Sequence, residues 1–357
     1  MDRAEEIKAL EEEIQKTKYN KHTQYHVGQL KAKLARLKED KEGRKGIGVG
    51  GKQYSVKKSG DATVLLVGFP SVGKSTLINK ITNVDSKIGD YDFTTLEVIP
   101  GVLEYKSAKI QVLDVPGLVE GASSGKGRGK EILSVMRNAD LIVIMVDKFE
   151  QIGMLDKELY NAGFRLNQRR PDILVKREIS GGLRISSTVK LKYIDHRMIK
   201  SILNEYKIHN AEVLIRENVN VDRFIDSLCS NRVYIPSIVV FNKADLLDED
   251  EKKRIKTKGW LPISAKDGKN LDVLKEMIWD DLRLIRVYMK RIGKDPDMNE
   301  PMIMKKGSTI EKVASKIHNE WKVEFARIWG PSSKFEGQRV SPSKELQDMD
   351  IVEFHLE

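Results

Sequence analysis

The sequence of 357 residues predicts an α/β fold built on a doubly wound, mostly parallel sheet, with an N-terminal helical hairpin, an inserted α+β domain and a small C-terminal α+β domain. Short apolar runs alternate with helical stretches from residue 61 onward, which is typical of parallel strands connected by helices. About ninety residues separate the runs at 141–147 and 237–241, where one connecting helix would suffice, so a domain is inserted there. The tail from residue 290 has a helix pattern and several short strand patterns of its own.

Two amphipathic helices are predicted within residues 1–40. Isoleucine and leucine recur there at intervals of three and four residues, at Ile7, Leu10, Ile14, Leu30, Leu34 and Leu37. Each apolar stripe needs a surface to pack on, so we expect the helices to pack as a hairpin or on a partner. Residues 41–60 contain six glycines and carry a net charge of +5, and we interpret them as a flexible basic linker.

Four apolar runs predict the buried strands of the main sheet, at residues 63–67, 110–115, 141–147 and 237–241. They assign residues 61–162 and 237–289 to one domain, residues 163–236 to the insertion and residues 290–357 to the C-terminal domain. Within the tail, strands are predicted at 302–304, 326–329 and 351–355. A helix is predicted at 308–318, with Ser308 as the candidate cap and Glu311 at capping-box spacing.

The composition excludes several classes of protein. No run approaches 18 apolar residues and the N-terminus has no apolar signal region, so neither a membrane span nor secretion is expected. The single cysteine and six scattered histidines argue against disulfides and against a zinc site. We therefore expect a cytoplasmic protein with no membrane partner that acts as a monomer.

A phosphate-binding loop is predicted at residues 68–75, which fit the pattern GxxxxGK[ST] between an apolar strand and a helix. Glycines allow backbone N–H groups to curl around phosphate oxygens at a helix N-terminus. Lys74 is expected to reach the β- and γ-phosphates, and Ser75 to ligate Mg²⁺. A chance glycine-lysine turn is the alternative, which the strand and helix on either side disfavour. The candidate residues are Gly68, Phe69, Pro70, Ser71, Val72, Gly73, Lys74, Ser75 and Thr76.

A second motif selects the base. Asn242, Lys243 and Asp245 fit NKxD at the end of an apolar strand. The Asp245 carboxylate can accept hydrogen bonds from guanine N1–H and the 2-amino group, whereas adenine offers neither donor and would leave it unpaired. A further segment, made of Ser264, Ala265 and Lys266, fits the loop whose backbone N–H contacts the guanine carbonyl.

Two switch signals lie between these motifs. Asp114 and Gly117 fit DxxG after a predicted strand; Asp114 would hold Mg²⁺ through a water, and the Gly117 N–H would sense the γ-phosphate. A run of Phe93, Thr94 and Thr95 occupies the place of the first switch, where a threonine can ligate Mg²⁺ only when the γ-phosphate is present. We favour Thr95 over Thr94. The metal ligands are thus Ser75, Thr95 and Asp114, and the catalytic candidates Lys74, Thr95 and Gly117.

Leu118 follows the DxxG motif at the position where Ras-like proteins carry the glutamine that orients the attacking water. A leucine side chain cannot hydrogen-bond water. Intrinsic hydrolysis should therefore be slow, or should use another group, a bound cation or a partner. The loop at 121–129 contains four glycines and could carry a switch or be a plain turn. We do not favour Arg128, within this loop, as a catalytic arginine.

Together the segments GFPSVGKST, YDFTTLEVIPG, LDVPGLVEGAS and NKAD resemble the developmentally regulated GTP-binding protein family of the Obg superfamily. The resemblance extends over nearly the whole chain. It implies a P-loop GTPase domain, an insertion similar to domain 2 of ribosomal protein S5, and a tail similar to the β-grasp TGS domain. A hydrophobic residue follows DxxG in this superfamily, as Leu118 does here. Some relatives use K⁺ through a P-loop asparagine; because Ser71 stands at that position, a role for K⁺ stays open.

The resemblance also implies a role around the ribosome and a small stabilising partner protein. The net charge of +10 agrees in kind, because residues 41–60 carry +5 and residues 163–236 carry +6, as a surface for RNA would require. A plain solvated basic surface is an equal alternative for these two blocks. The first hypothesis is a slow GTPase switch bound to ribosomes or RNA. The alternative is an RNA-binding scaffold whose guanine nucleotide is mainly structural. A P-loop kinase is disfavoured by NKxD.

Overall fold

The computed structural model describes residues 3–18, 20, 23–43, 60–82, 99–114 and 136–356. The chain divides into two compact units, described in turn below. The first consists of Met1–Gln53 and Gly163–Tyr234, and the second of Tyr54–Ala162 and Ile235–Glu357.

In chain order, the helices of the described residues are α1 (Arg3–Lys16), α2 (Gln24–Gly43), α3 (Lys74–Ile81), α4 (Phe149–Asn161), α5 (His196–Glu205), α6 (Val221–Leu228), α7 (Glu249–Thr257), α8 (Leu271–Leu282) and α9 (Ile310–Ile317). The strands are β1 (Ala62–Val67), β2 (Ile99–Tyr105), β3 (Ala108–Asp114), β4 (Leu141–Val146), β5 (Phe164–Leu166), β6 (Ile173–Arg177), β7 (Leu183–Ser187), β8 (Ala211–Ile215), β9 (Val233–Ile235), β10 (Ser237–Phe241), β11 (Leu261–Pro262), β12 (Leu284–Lys290), β13 (Pro296–Lys305), β14 (Val323–Trp329), β15 (Gln338–Val340) and β16 (Asp350–Leu356).

The first unit joins the N-terminal helices to the inserted segment. Its three-stranded sheet has the order β6-β8-β7, with β6 antiparallel and β7 parallel to β8. Helix α2 packs against α1, α5 and α6, and its Ala32 and Ala35 enter the core of the insertion. The ion pair between Lys31 and Asp222, at 2.9 Å, adds to this contact. One face of α2 therefore packs within the chain itself, with Val27, Leu30, Ala32 and Ala35 buried.

The second unit contains the main sheet, in the order β11-β10-β4-β1-β3-β2. Strand β1 runs parallel to β3 and β4, and β10 runs parallel to β4 and β11. Every residue of β1 and β4 is buried, as expected for central strands covered on both faces. The predicted doubly wound, mostly parallel fold is confirmed, and β2 adds an antiparallel strand at one edge.

The C-terminal sheet of the second unit has the order β13-β12-β16-β14-β15, and α9 packs against β14. Strand β12 already belongs to this sheet, although it begins at Leu284, before the expected boundary at residue 290. One local prediction was wrong. Helix α9 is capped by Thr309 and not by Ser308, because the Thr309 side chain accepts a hydrogen bond from Lys312 N while Ser308 is buried.

None of the helices among the described residues is long and apolar enough to cross a membrane.

Candidate nucleotide-binding site

The loop at residues 68–73 connects β1 to α3 at the carboxyl edge of the main sheet. Gly73 has φ of 100°, and a Cβ there would lie 2.5 Å from Asn242 Nδ2. A Cβ on Gly68 would lie 2.3 Å from the carbonyl oxygen of Met145 in β4. Both positions therefore require glycine, and α3 begins at Lys74 immediately after the loop. Of the candidate loop residues, Phe69, Pro70, Ser71, Val72, Ser75 and Thr76 all lie in this loop and the first turn of α3.

Lys74 turns its ammonium group back over the loop. Its Nζ donates to the carbonyl oxygens of Gly68 and Phe69, each at 3.2 Å, and lies 4.0 Å from Asp114 Oδ1. The side chain is only 10% exposed. A cation is thus held at a helix N-terminus, the combination that favours phosphate groups.

Asp114 ends β3 and faces α3. Ser75 Oγ donates to Asp114 Oδ2 at 3.4 Å. Burial is the largest influence on Asp114 and raises its pKa, although Lys74 and Ser75 act in the opposite direction. Asp114 Oδ1 is buried with no hydrogen-bond partner among the residues that the structure describes.

This pair of oxygens fits a magnesium ion. Mg²⁺ prefers hard oxygen ligands and is usually held by one or two protein groups together with waters and nucleotide phosphates. A serine hydroxyl and a buried carboxylate oxygen that accepts no hydrogen bond from the described residues offer such a set. The remaining predicted switch residues, which are Phe93, Thr94, Thr95, Gly117 and Leu118, lie outside the described residues, as does Arg128.

Asn242 connects three loops of the site. It follows β10, and its side chain is buried. Its Nδ2 donates to the carbonyl of Val72 in the phosphate loop at 2.7 Å, and its Oδ1 accepts from Ala265 N at 2.9 Å. The phosphate loop, the NKxD segment and the loop of Ser264 are therefore fixed relative to one another by one amide.

Asp245 is exposed at the edge of this cluster. A hydrogen bond with Ser264, its own backbone N–H and the charges of Lys266 and Lys269 hold the pKa of Asp245 below its usual value. The Ser264 hydroxyl donates to Asp267 Oδ2 at 2.8 Å. Asp245 is consequently ionised at neutral pH and acts only as an acceptor.

Lys243 has a partner that the motif analysis missed. Lys243 Nζ lies 2.5 Å from Oδ2 of Asp147, and Gln151 Nε2 donates to Asp147 Oδ1 at 2.8 Å. Burial opposes ionisation of Asp147, but the hydrogen bonds from Lys243 and Gln151 outweigh it, and the pKa of Asp147 is lowered. The sequence held a usable signal, because Asp147 directly follows β4, the strand beside β10.

Removing the charge of Asp147 should leave the Lys243 side chain without its ion-pair partner and less well positioned. We expect Asp147→Asn to lower the affinity for guanine nucleotide about fivefold, since Lys243 is 44% exposed and solvent screens the pair. Titration with a fluorescent GDP analogue measures this change. The matched control is Glu249→Gln, which removes an exposed pair with Lys252 elsewhere in the same unit and should leave affinity unchanged. Equal affinities for both variants would show that Asp147 does not position Lys243 for the nucleotide.

Comparison with known proteins places these features in a family. The family model described as a 50S ribosome-binding GTPase matches residues 63–177. The model for the C-terminal region of that GTPase domain, MMR_HSR1, matches residues 180–284, and a TGS domain matches residues 285–356. The three models together span most of the chain.

Full-length relatives carry GTP-binding names. An uncharacterised GTP-binding protein of Methanocaldococcus jannaschii is 53% identical over 98% of this chain and 91% of its own length. Another, from Halobacterium salinarum, is 46% identical over 98% of this chain and 97% of its own. Developmentally-regulated GTP-binding protein 2 of Homo sapiens is 43% identical over 98% of each chain. The chain therefore belongs to the developmentally regulated GTP-binding protein family, a family of GTPases with a C-terminal TGS domain.

Proposed function

We propose that the protein is a slow GTPase switch that hydrolyses GTP to GDP and phosphate and associates with RNA or the ribosome. Nucleotide binding is supported mainly by one observation. The candidates for binding phosphate, base and Mg²⁺ lie together at one edge of a parallel sheet, where Asn242 links the phosphate loop to the base-side loop. Open α/β sheets bind their ligands at this edge.

Each candidate residue contacts a different part of the bound nucleotide or its metal ion. Lys74 neutralises the β- and γ-phosphates, and Asp245 accepts the two guanine N–H donors, with the backbone at Ser264–Lys266 against the guanine carbonyl. Ser75, Asp114 and Thr95 hold Mg²⁺, which when bound neutralises charge that develops on the phosphate oxygens. The Gly117 N–H senses the γ-phosphate. Phosphoryl transfer needs mainly positioning and charge, and both are available from these groups.

The proposed low rate rests on Leu118. Because its side chain cannot orient the attacking water, another group must do so: a partner protein, or a cation such as K⁺ near Ser71. The family resemblance implies a small stabilising partner protein, which is one candidate for this role.

The proposed RNA or ribosome partner rests on two supports. The matching family model is described as a ribosome-binding GTPase. The net positive charge is concentrated in residues 41–60 and 163–236, which carry +5 and +6. The switch is favoured over a scaffold with a structural nucleotide because Thr95, Asp114 and Gly117 form γ-phosphate sensors that a structural nucleotide would not require.

Sedimentation of ribosomes with the protein tests the switch directly. We expect more protein to sediment with ribosomes in a non-hydrolysable GTP analogue than in GDP, because only the γ-phosphate can order the switch segments. Identical profiles with GTP analogue, GDP and no nucleotide would favour the scaffold.

The basic linker should contribute to RNA affinity by neutralising phosphates. Glutamine substitution of Lys41, Arg44, Lys45, Lys52, Lys57 and Lys58 removes the positive charges of residues 41–60, of which Lys41 lies at the end of α2. We expect weaker binding to RNA of any sequence and a flatter plot of log affinity against log salt. On a single strand, the slope should fall by up to about 0.7 for each phosphate that is no longer neutralised. Fluorescence anisotropy between about 50 and 200 mM salt measures both the affinity and the slope.

An equal loss of charge in the neutral tail is the control. Arg291, Lys294, Lys306, Lys312, Lys322 and Lys334 are exposed basic residues of the C-terminal segment. Their substitution with glutamine should change the slope much less, since the tail carries no net charge. A slope that falls equally in both variants would show that total charge, not the linker, governs binding.

A further inference from the structure

The first unit contains an open cavity of about 820 Å³. Its walls come from the N-terminal end of α2, the segment at 191–195, helix α5 and the first residue of α6. Its volume lies within the range of about 300–1,000 Å³ that is usual for ligand pockets. All of the nucleotide-site candidates belong to the second unit, so this cavity is not part of that site.

Two tyrosines at this cavity are exposed. Tyr25 at the start of α2 is 42% exposed, and Tyr193 in the preceding wall segment is 65% exposed. Neither ring takes part in an aromatic or cation–π contact with another residue that the structure describes. Exposed flat rings beside a cavity are suited to stacking on a planar ligand.

Three cations line the same cavity, and none of them has an ion-pair partner among the described residues. Lys192, Arg197 and Lys200 are exposed, and their side chains form no ion pair or hydrogen bond with another residue in the described part of the chain. Arg197 and Lys200 are three residues apart and share one face of α5. By contrast, Lys31 of α2 is paired with Asp222 and Lys38 with Glu11.

The acidic residues of the cavity wall form no ion pair with these three cations. Asp195 Oδ1 accepts from Met198 N at 2.7 Å as the N-cap of α5, so this oxygen is already used. Glu205 stands at the opposite end of α5, more than two turns from Arg197. The floor between them is polar, because Gln29 Nε2 donates to Ser201 Oγ at 2.7 Å.

We propose that this cavity binds a short stretch of single-stranded RNA, an inference that rests on the RNA partner of the proposed function and gives it a location. Unstacked bases lie on the rings of Tyr25 and Tyr193, and backbone phosphates meet Lys192, Arg197 and Lys200. Single-stranded RNA is bound in this way, by aromatic stacking combined with cationic side chains.

An acidic peptide fits the same lining less well. It would use the three cations but leave both exposed rings without a planar partner. With two acidic residues also in the lining, Asp195 and Glu205, the net charge favours an anion only weakly. Affinity must therefore come mainly from stacking, which bases provide and acidic side chains do not.

The first arm of the test concerns stacking. The probe is a fluorescein-labelled single-stranded RNA of mixed sequence and about 12 nucleotides, bound to the full-length protein in GDP. Tyr193→Ala should lower affinity between about 5-fold and 150-fold, the range expected when one base–aromatic stack is removed. Tyr193→Phe keeps the ring and should bind within about twofold of the wild type, with the salt slope unchanged in both.

The second arm concerns phosphate contacts. The double variant Arg197→Gln, Lys200→Gln should lower the slope of log affinity against log salt by about 1.4, since each contact on a single strand contributes about 0.7. The control, Lys176→Gln with Arg177→Gln, removes the same charge from exposed positions of β6 outside the cavity and should leave the slope nearly unchanged. Thermal melting and GDP binding check that each variant folds.

The outcomes separate this inference from the proposed function. Wild-type binding that is insensitive to Tyr193→Ala and to the α5 double variant would leave the RNA partner standing and overturn its assignment to this cavity. A failure of the wild-type protein to bind either the RNA or ribosomes would overturn the RNA partner itself. Binding of a labelled poly-glutamate peptide that is abolished in the α5 double variant, with RNA binding unaffected, would reassign the cavity to an acidic peptide.

Discussion

Replacement of Asp245 by asparagine is expected to lower the affinity for GTP about a hundredfold or more. The native carboxylate is exposed, and its pKa is held below the usual value by Ser264 and nearby lysines, so it presents two acceptor oxygens at neutral pH. The amide presents one acceptor and one donor, and the donor faces guanine N–H groups. One of the two hydrogen bonds to guanine is lost and two donors are opposed in its place, which accounts for the expected loss.

The specificity should change in a defined direction. Xanthine carries a carbonyl where guanine has its 2-amino group, so Asp245→Asn should bind XTP better than GTP, as measured by competition against a fluorescent guanine nucleotide. Asp267→Asn is the matched control, because Asp267 is a neighbouring carboxylate that accepts from Ser264 Oγ without being in the NKxD motif. It should retain GTP affinity within about tenfold. A variant at Asp245 that binds GTP like the wild type would exclude this residue as the base reader.

The central strands of the main sheet could be predicted because burial on both faces requires a continuous run of apolar residues. Strands β1, β4 and β10 appear within one residue of the expected runs, since a strand covered on both sides must be apolar at every position. Strand β3 begins two residues earlier than expected, because Ala108 is buried and Lys109 is exposed at the edge of the apolar run. The order of the motifs along the chain then indicated which loops share one edge.

Edge strands and caps could not be predicted in this way. Strand β2 contains Pro100 and Gly101, residue types that disfavour a β-strand. It forms because it pairs with β3 through a tight turn at Lys106 and Ser107, both of which have positive φ. The cap of α9 depends on which hydroxyl reaches Lys312 N, a choice between neighbours that spacing cannot make. Such features depend on contacts formed only in the folded chain.

The hydrogen bonds by which Asn242 links the loops could not be predicted for the same reason. The NKxD motif identifies the residue, but its hydrogen bonds join Val72, which is 170 positions away in the chain, to Ala265. The pairing of Lys243 with Asp147 likewise joins the ends of two adjacent strands. Motifs indicate which residue types are needed, whereas their supporting contacts follow from sheet order.

Asn242→Ala should therefore weaken nucleotide binding and also destabilise the fold around the main sheet. The substitution leaves the Val72 carbonyl and the Ala265 N–H without their partner in a buried setting. Each unsatisfied group costs about 1–3 kcal/mol, so the free energy of unfolding should fall by about 2–6 kcal/mol. Because the phosphate loop and the base-side loop lose their common tether, we expect the affinity for GDP to fall about a hundredfold, measured by titration with a fluorescent analogue.

Asn270 provides the control that separates stability from nucleotide binding. Its Nδ2 donates to the Pro262 carbonyl at 2.7 Å, in the same region but without contact to the phosphate loop. Because Asn270 has φ of 61°, Asn270→Gly removes the hydrogen bond without backbone strain. It should lower the free energy of unfolding by about 1 kcal/mol and leave GDP affinity within about threefold. If Asn242→Ala loses stability in denaturant titrations but binds GDP as tightly as Asn270→Gly, the amide serves the fold alone, and the phosphate loop keeps its shape without it.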